Sequence, residues 1–307
     1  MTHPMGRLCL IVNPRAGNGT VGARLGDLRR TLDEAGLDHD VVETTGAGTA
    51  TEAARRALDE GCLYLVAVGG DGTVHEVVNG MFEGDEPVSP RAILAVVSAG
   101  SGSDFVRTFG LRLPFERLVR HLASETIQLV DVGKVHYHDA QGQPATRLFV
   151  NIAEAGYGAE CVRRAARYPR WMGRLRYLFA AYGAIRAVER PETLVRLAHT
   201  EVRRNIVMAV AANAQFFGGG MKVAPRALPD DGRLNVLLYT GSRSQVFTLT
   251  QRMYRGEHLP NPEIAEYQSP TLEVLPERPL LVEADGELLG TTPARFELLD
   301  KALRLKI

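Results

Sequence analysis

Apolar and polar positions alternate in blocks over residues 1–125, where short apolar runs are separated by stretches with helical spacing. The runs that predict strands are LCLIV, DVVE, LYLVAV and AILAVV. After the first run, four aliphatic side chains recur at the spacing of one helix face: Val21, Leu25, Leu28 and Leu32. Strands that alternate with helices are typical of parallel βα units, so this pattern predicts an α/β domain with a parallel sheet.

Signals for helix ends fall between these runs. Thr49 with Glu52, and Thr73 with Glu76, have the spacing of a capping box, so we expect helices to begin near the two threonines. Gly36 is placed to end the first helix. Each predicted strand is therefore followed by a predicted helix.

From residue 126 the pattern changes to β-rich segments, most of them separated by turn signals. A chain of 307 residues also exceeds one ordinary core. We predict a second, mainly antiparallel domain over residues 126–295, with a helical insertion around residues 160–188. Residues 296–307 either stay with it or pack back on the first domain, residues 1–125.

Composition limits the cellular compartments and the binding partners that we expect for the protein. Lys+Arg and Asp+Glu both number 36, so no net field draws the chain towards nucleic acid, and none is expected as a partner. Cys9, Cys62 and Cys161 lie far apart along the chain, so we expect neither a disulfide framework nor a metal site, as in a reducing compartment. No apolar run approaches the ~20 residues of a membrane span. We predict a soluble, cytoplasmic protein that can still contact the inner membrane surface.

The stretch VAVGGDGTVHEVVNG places three glycines and one carboxylate between a strand and a helix. Gly69, Gly70 and Gly72 would let backbone N–H groups approach phosphate oxygens beside a helix N-terminus. Asp71 fits such a site if Mg²⁺ lies between its carboxylate and the phosphates. The alternative is a turn in which Asp71 is a helix cap. The chain has no Walker lysine, so nucleotide binding must rest on another motif.

Six motifs occur in order along the chain. NPRAGNG, GGDGTVHEVVNG and GSGSDF follow strands of the first domain, and VNIAEAGYGAE, APRALPDDGRLNV and VEADGELLG lie in the second. Together they resemble the motifs of the diacylglycerol kinase and sphingosine kinase family, from Leu8 to about Leu289. GGDGT alone is shared with NAD kinases and phosphofructokinases, so the longer runs carry the specificity.

The resemblance implies a doubly wound α/β nucleotide-binding domain followed by a β-sandwich domain, with ATP between them. The positions that would line the ATP site, by resemblance, are Asn13, Thr44, Gly69, Gly70, Asp71, Gly72, Thr73 and Ser101. Asp71 would lie at the phosphate and metal end, and so among the catalytic residues.

In the second domain, the resemblance implies a structural Mg²⁺ held by the Asp231 carboxylate and the backbone carbonyls of Leu228 and Arg233. The DGE run is similar to the family's catalytic-base motif. We expect Glu287, with Asp285 as the second candidate, to take the proton from the acceptor hydroxyl. Simple turns at DDG and DGE are the alternative interpretations.

The chain departs from the family pattern at one loop, where GSGSD stands for the usual GTGND. Ser101 keeps the hydroxyl of threonine. Ser103 loses an amide that both donates and accepts hydrogen bonds, which puts the family geometry around Asp104 in question.

Residues 160–190 contain eight arginines and two glutamates, interleaved with aromatic and aliphatic side chains. This composition is typical of a segment on an anionic membrane surface, and equally of a helix pair packed on the sandwich with a solvated basic face. A lipid kinase must reach a bilayer for its acceptor, so that function favours the membrane interpretation.

The leading hypothesis is an ATP- and Mg²⁺-dependent lipid kinase of phospholipid biosynthesis. It would phosphorylate a hydroxyl of a diacylglycerol-like or sphingoid-like lipid at a membrane surface. The alternatives are a kinase of a soluble acceptor, similar to NAD kinase, and a nucleotide- or lipid-binding regulator with weakened catalysis, which only Ser103 supports. The sequence names no acceptor, and it leaves the oligomeric state open between a monomer and a homodimer.

Overall fold

The structure of the chain, a computed structural model, describes residues 6–98, 103–112, 115–169, 172 and 175–307. At residues 115, 116, 243, 244 and 246–248 it describes the backbone alone. The chain divides into two units: unit 1 contains Met1–Asp131 and Asp300–Ile307, and unit 2 contains Val132–Leu299.

Unit 1 alternates strands with helices, as the sequence predicts. Its strands are β1 (Leu8–Val12), β2 (His39–Glu43), β3 (Tyr64–Gly69), β4 (Phe82–Glu83), β5 (Glu86–Pro87) and β6 (Ile93–Ser98). Its helices are α1 (Thr20–Glu34), α2 (Thr49–Asp59), α3 (Asp71–Met81), α4 (Asp104–Thr108) and α5 (Phe115–Ala123), with a 3-10 turn at Ala16–Gly19. Four strands pair in parallel in the order β2-β1-β3-β6.

The predicted apolar face of α1 is confirmed. Its buried side chains are Val21, Leu25, Leu28 and Leu32. Gly36 has a φ of +69°, and Leu37 N donates to Leu32 O at 3.0 Å, as is typical of a helix that ends at a left-handed glycine. The helix thus ends where the glycine predicts.

Both predicted capping boxes are wrong. Helices α2 and α3 do begin near the two threonines, at Thr49 and Asp71, but their N-cap residues are Gly48 and Gly70, so neither threonine is the N-cap of its helix. Glu76 does cap a helix, but another one, because its carboxylate accepts from Ala50 N of α2 at 3.0 Å. The S/T-x-x-E spacing does not distinguish a local capping pair from a side chain that bonds across two packed helices.

Cys9 and Cys62 form a disulfide, so the expectation of unpaired cysteines is wrong. Cys9 lies in β1, and Cys62 comes just before β3. The two strands are parallel neighbours, so the crossover between them brings the two Cα atoms to 6.5 Å across a sequence separation of 53 residues. Distance along the chain is a poor guide to contact in a βα fold.

Unit 2 is mainly antiparallel and contains the predicted helical insertion together with a further helix at Arg243–Arg255, which was not predicted. Its strands are β7 (Ile127–His138), β8 (Pro144–Phe149), β9 (Ile152–Gly156), β10 (Glu192–Leu197), β11 (Glu201–Asn205), β12 (Met208–Ala212), β13 (Leu234–Tyr239), β14 (Ile264–Ser269), β15 (Thr271–Pro276), β16 (Leu281–Ala284) and β17 (Glu287–Lys306). Its helices are α6 (Tyr157–Ala165), α7 (Leu175–Ala187) and α8 (Arg243–Arg255). Strands pair in the orders β14-β13-β12-β9-β16-β17 and β11-β10-β15-β17, and β7 pairs with β8.

β7 and β17 each contain residues of both units. At the end of β17, Arg304 and Leu305 pair in parallel with Ile93 and Leu94 of β6. The buried Lys306 ammonium donates to Thr126 O at 2.8 Å, which fixes this end within unit 1. Among the described residues, no helix has the length and apolarity needed to cross a bilayer.

Candidate active site

The carboxyl ends of the parallel strands of unit 1 lie at one edge of the sheet. Val12 is the register partner of both Glu43 and Val68, and Gly69 is the partner of Ser98. Ligands of parallel α/β sheets bind at this edge, where loops lead into helix N-termini. Seven predicted ATP-site residues lie at the ends of these strands or shortly after them: Asn13, Thr44, Gly69, Gly70, Asp71, Gly72 and Thr73. Ser101 lies outside the described residues.

Asn13 connects two of these loops. Its backbone N–H donates to Val68 O at 2.9 Å, and its side-chain amide lies 3.4 Å from Thr73 Oγ1 as a donor. Thr44 N donates to Val12 O at 2.8 Å, which places Thr44 one strand away. The structure therefore brings Asn13 and Thr73 into contact and keeps Thr44 beside them.

Gly69 ends β3, Gly70 follows it and Gly72 lies in the first turn of α3; none of the three has a positive φ, so no left-handed turn requires glycine there. A Cβ on Gly69 would overlap the side chain of Thr73, so the strand can approach α3 closely only with glycine there. A Cβ on Gly72 would meet nothing within 4 Å. Gly69 is needed for packing, whereas Gly72 leaves backbone open at the first turn of α3, where an anion is favoured.

Asp71 has a structural contact of its own. It lies in the first turn of α3, and its Oδ1 accepts from Phe105 N at 3.2 Å. Phe105 belongs to α4, so this carboxylate joins the loop after β3 to the loop after β6. Gly70 is the N-cap of α3, so Asp71 is not the cap of its own helix, and its place in the first turn suits a role in phosphate binding.

Ser103 precedes α4 with a left-handed backbone, with φ at +53°. Its buried hydroxyl forms a hydrogen bond with that of Ser98. Asparagine, which the resemblance implies at this position, tolerates this backbone region better than most residues. The serine substitution therefore changes both the backbone preference and the side-chain partner at this loop.

In unit 2, Asp285 is held tightly in the predicted DGE turn. Its carboxylate accepts three backbone hydrogen bonds, from Val150 N at 2.9 Å, Asn151 N at 3.0 Å and Ile152 N at 3.1 Å. The residue is 9% exposed and has a φ of +51°. These contacts fix the DGE turn to the VNI motif.

Glu287 is the more accessible carboxylate of the turn. It begins β17, its side chain is 38% exposed, and Arg147 Nη2 lies 3.4 Å from its Oε2. Since the oxygens of Asp285 bind backbone N–H groups, Glu287 is better placed to accept a proton from a substrate.

The turn predicted to hold Mg²⁺ is closed by a local hydrogen bond. Asp231 Oδ1 accepts from Arg233 N at 2.9 Å, which is the local bond of an Asx turn. Carboxylate and carbonyl oxygens suit Mg²⁺, so the donors of Asp231, Leu228 and Arg233 fit that ion chemically. Across the described parts of the chain, no three His, Cys, Asp or Glu side chains gather in a way that could hold a metal ion. The site with two carbonyl ligands stays a prediction.

α7 exposes most of its large side chains. Ala180 and Ala184 are buried, while five large apolar or aromatic side chains are 46–60% exposed: Leu175, Tyr177, Leu178, Phe179 and Tyr182. Arg176 stacks over the Tyr177 ring at 4.6 Å, and Arg186 over that of Tyr182 at 4.8 Å. An ordinary amphipathic helix packed on a sandwich would bury these large side chains.

Two buried acidic residues near the DGE turn were not predicted from the sequence. Glu154 lies in β9 and Glu283 in β16, and they are 3% and 0% exposed. An acidic residue inside an apolar strand, as in VNIAEAG and LLVEADGE, is the signal that could have identified each one. Their proximity depends on strand register, which the sequence does not reveal.

Family comparisons agree with both units. Residues 7–135 match the diacylglycerol kinase catalytic domain, and residues 151–307 match the YegS C-terminal NAD kinase beta sandwich-like domain. These matches confirm the predicted order of an α/β domain and a β-sandwich domain.

Similar proteins cover nearly the whole chain. A protein of Bacillus subtilis (strain 168) named diacylglycerol kinase is 26% identical and aligns with 95% of this chain and 93% of its own. A protein of the same name from Mycobacterium tuberculosis (strain CDC 1551 / Oshkosh) is 28% identical, over 99% and 96% of the two chains. A solved structure from Bacillus anthracis str. Sterne, described as a diacylglycerol kinase, has a TM-score of 0.71 at 21% identity, over 98% and 96%. This last likeness concerns the fold.

Proposed function

The chain belongs to the bacterial diacylglycerol kinase-like family of lipid kinases, and on this premise we propose that it transfers the terminal phosphoryl group of ATP to a hydroxyl of a diacylglycerol-like lipid. The observation that carries the nucleotide part is the convergence of Asn13, Thr44 and the loop of Asp71 at one sheet edge. The names of the relatives favour a diacylglycerol-like acceptor over a sphingoid-like one.

In this proposal, the loop of Gly69, Gly70, Gly72 and Thr73 binds the phosphates through backbone N–H groups and the N-terminus of α3. Asp71 would lie at the phosphate and metal end of the site, and Ser101 would also line it. Mg²⁺, when bound, neutralises charge that develops on the transferred group. The second ion site, at Asp231 with the carbonyls of Leu228 and Arg233, would stabilise the turn in unit 2.

The transfer itself needs a base on the acceptor side. The acceptor oxygen forms a bond to the terminal phosphorus, the bond from phosphorus to the ADP oxygen breaks, and Glu287 takes the hydroxyl proton. Asp285 positions the turn through its three backbone hydrogen bonds. These roles distinguish two adjacent carboxylates by accessibility.

The direct test incubates the purified protein with labelled ATP and a panel of acceptors in mixed micelles. Transfer to diacylglycerol is expected, and Asp71→Asn and Glu287→Gln should each lower kcat by about 100-fold or more. Glu34→Gln, on the exposed end of α1, is the matched control and should leave kcat unchanged.

The same panel separates the alternatives. Phosphorylation of NAD but of no lipid would support the soluble-acceptor kinase. ATP binding without turnover, unaltered by Glu287→Gln, would support a regulator. Either result would overturn the proposal.

We also propose that the exposed face of α7 contacts an anionic membrane surface. Its aromatic and aliphatic side chains, with arginines stacked on two of the rings, suit the boundary between headgroups and acyl chains. Arginines near the surface add electrostatic attraction to anionic lipids.

Vesicle sedimentation tests this contact. Leu178→Ser with Phe179→Ser should weaken binding to phosphatidylglycerol vesicles about tenfold or more, and neutral phosphatidylcholine vesicles should bind the unaltered protein less. Leu129→Ser, an exposed leucine in unit 1, is the matched control. Equal binding by the double variant and the control would contradict the proposal, and a homodimer that covers this face would appear as a change of mass in the double variant.

A further inference from the structure

Glu154 and Glu283 form a buried pair of carboxyl groups. They are direct register partners on the antiparallel strands β9 and β16. Side chains of direct partners lie on the same face of a sheet, with Cβ atoms about 4.5–5.5 Å apart. The Oε1 atom of each glutamate is buried and has no hydrogen-bond partner among the described residues. Two buried carboxyl groups on one face of adjacent strands, each with an unsatisfied acceptor atom, favour a state in which the pair keeps a proton.

The pair also contacts the DGE turn and the start of α6. Glu283 Oε2 accepts from Gly286 N, in the middle of the DGE turn, at 2.8 Å. The Glu154 carboxylate lies beside the backbone N–H groups of Gly158 and Ala159, in the first turn of α6. A Cβ on Gly158 would overlap the Glu154 carboxylate, so the helix start is shaped around this group.

We propose that Glu154 and Glu283 share one proton, and that the pair positions the turn of Asp285 and Glu287 for catalysis. The positioning role rests on the proposed function. Glu283 is therefore a positioning residue that acts through Gly286, and Glu154 positions Glu283.

The raised pKa values of both glutamates support a shared proton. Burial raises the pKa of Glu154 to about 7, partly offset by the two backbone N–H groups of α6. Burial and the nearby Glu154 charge raise the pKa of Glu283 well above its ordinary value. Two adjacent carboxylates in a dry site cannot both ionise easily, so the pair releases its protons in two steps.

The other titratable groups around the pair do not supply a counter-charge. Asp285 and Glu287 of the turn raise the pKa of Glu283 further. Burial raises the pKa values of Tyr157, Cys161 and Tyr239, so these side chains stay neutral at neutral pH. More distant charges act on these neighbours: Glu160 and Arg164 on Cys161, and Glu266 on Tyr239.

Loss of the second proton would place two anions side by side. Repulsion would then move one carboxylate towards water, and Gly286 N would lose its acceptor. The turn would no longer hold Glu287, so kcat is expected to fall at alkaline pH.

Three variants test the positioning role. A glutamine at position 283 can still accept from Gly286 N and donate to Glu154, so Glu283→Gln should keep kcat within about threefold of the unaltered protein and lose the alkaline fall. Glu283→Ala lacks the acceptor and should lower kcat about tenfold with little change in KM. Glu154→Gln should also shift the alkaline fall, while Glu201→Gln, on exposed β11, should not.

An infrared measurement tests whether the pair keeps a proton, independently of catalysis. It remains informative if Glu283→Ala fails to fold. The difference spectrum between the unaltered protein and Glu283→Gln at mildly alkaline pH should contain the carbonyl band of a protonated carboxyl group. Absence of that band would overturn the shared proton even if the protein is an active lipid kinase. Equal loss of kcat in Glu283→Gln and Glu283→Ala would overturn the positioning role, since an ionised glutamate would then be required.

Discussion

Ser103 and Asp285 have the same unusual backbone, with φ at +53° and +51°. This left-handed region costs a non-glycine residue roughly 1–2 kcal/mol. Each side chain makes contacts that hold its turn, with the Ser98 hydroxyl in one case and with three backbone N–H groups in the other. Both turns belong to motifs of the family, and strain retained at such places is typical of functional loops.

Two replacements of Ser103 separate its backbone from its side chain. Ser103→Gly and Ser103→Ala both lose the hydrogen bond with Ser98, but only alanine keeps the Cβ that opposes a positive φ. We expect the glycine variant to have the higher free energy of unfolding, by about 1 kcal/mol, in denaturant titration. Equal stability would show that the backbone of this loop relaxes when the hydroxyl is removed.

At the scale of elements, the second half of GGDGTVHEVVNG serves to pack α3 against α2. A Cβ on Gly80 would overlap Thr51 O and the Ala54 side chain of α2. Arg55 Nε donates to Gly80 O at 3.0 Å, and Thr51 Oγ1 donates to Glu76 O at 2.9 Å. The length of the motif therefore combines a loop for chemistry with a helix face for packing.

Gly80→Ala and Gly26→Ala form a matched pair that tests this packing. Gly80→Ala should lower the free energy of unfolding by about 1–3 kcal/mol, because the new methyl group meets backbone that cannot move away. Gly26 lies in the exposed interior of α1 with nothing within 4 Å, so Gly26→Ala should raise it by about 1 kcal/mol. A stabilising Gly80→Ala, measured by thermal unfolding, would contradict the close approach.

Features of single elements could be predicted from the sequence, whereas contacts between elements could not. The strand runs and the buried face of α1 were predictable because periodicity reports burial directly. The loops of Asn13 and Asp71 could be assigned to one sheet edge because parallel strands align their ends. The Glu76 contact with Ala50, the disulfide and the Glu154–Glu283 pair could not be predicted, since each depends on which elements become neighbours.

At the scale of the whole molecule, the disulfide links β1 to the residues just before β3. Thiol titration of the denatured, unreduced protein should find one thiol per chain, from Cys161. Reduction should lower the free energy of unfolding by up to about 4 kcal/mol, the entropic estimate for a loop of this length. Cys161→Ser should remove the titrated thiol and leave the effect of reduction unchanged. Three thiols in the unreduced protein would show that the bond is absent.

The buried carboxyl pair also makes stability depend on pH. The pKa of Glu154 is raised by burial from 4.5 to about 7, so the folded chain binds more protons than the unfolded chain between these values. Its contribution to stability is therefore complete at low pH and is lost as pH rises through about 7.

The loss from Glu154 amounts to about 3 kcal/mol, and Glu283 extends it to higher pH in the same direction. Denaturant unfolding at a series of pH values measures it. Glu154→Gln, which cannot ionise, should flatten the decline relative to the unaltered protein, while Glu201→Gln should leave it unchanged. Parallel curves for Glu154→Gln and the unaltered protein would mean that Glu154 keeps its charge in the fold, and the repulsion from Glu283 would then have to be relieved by solvent at the turn.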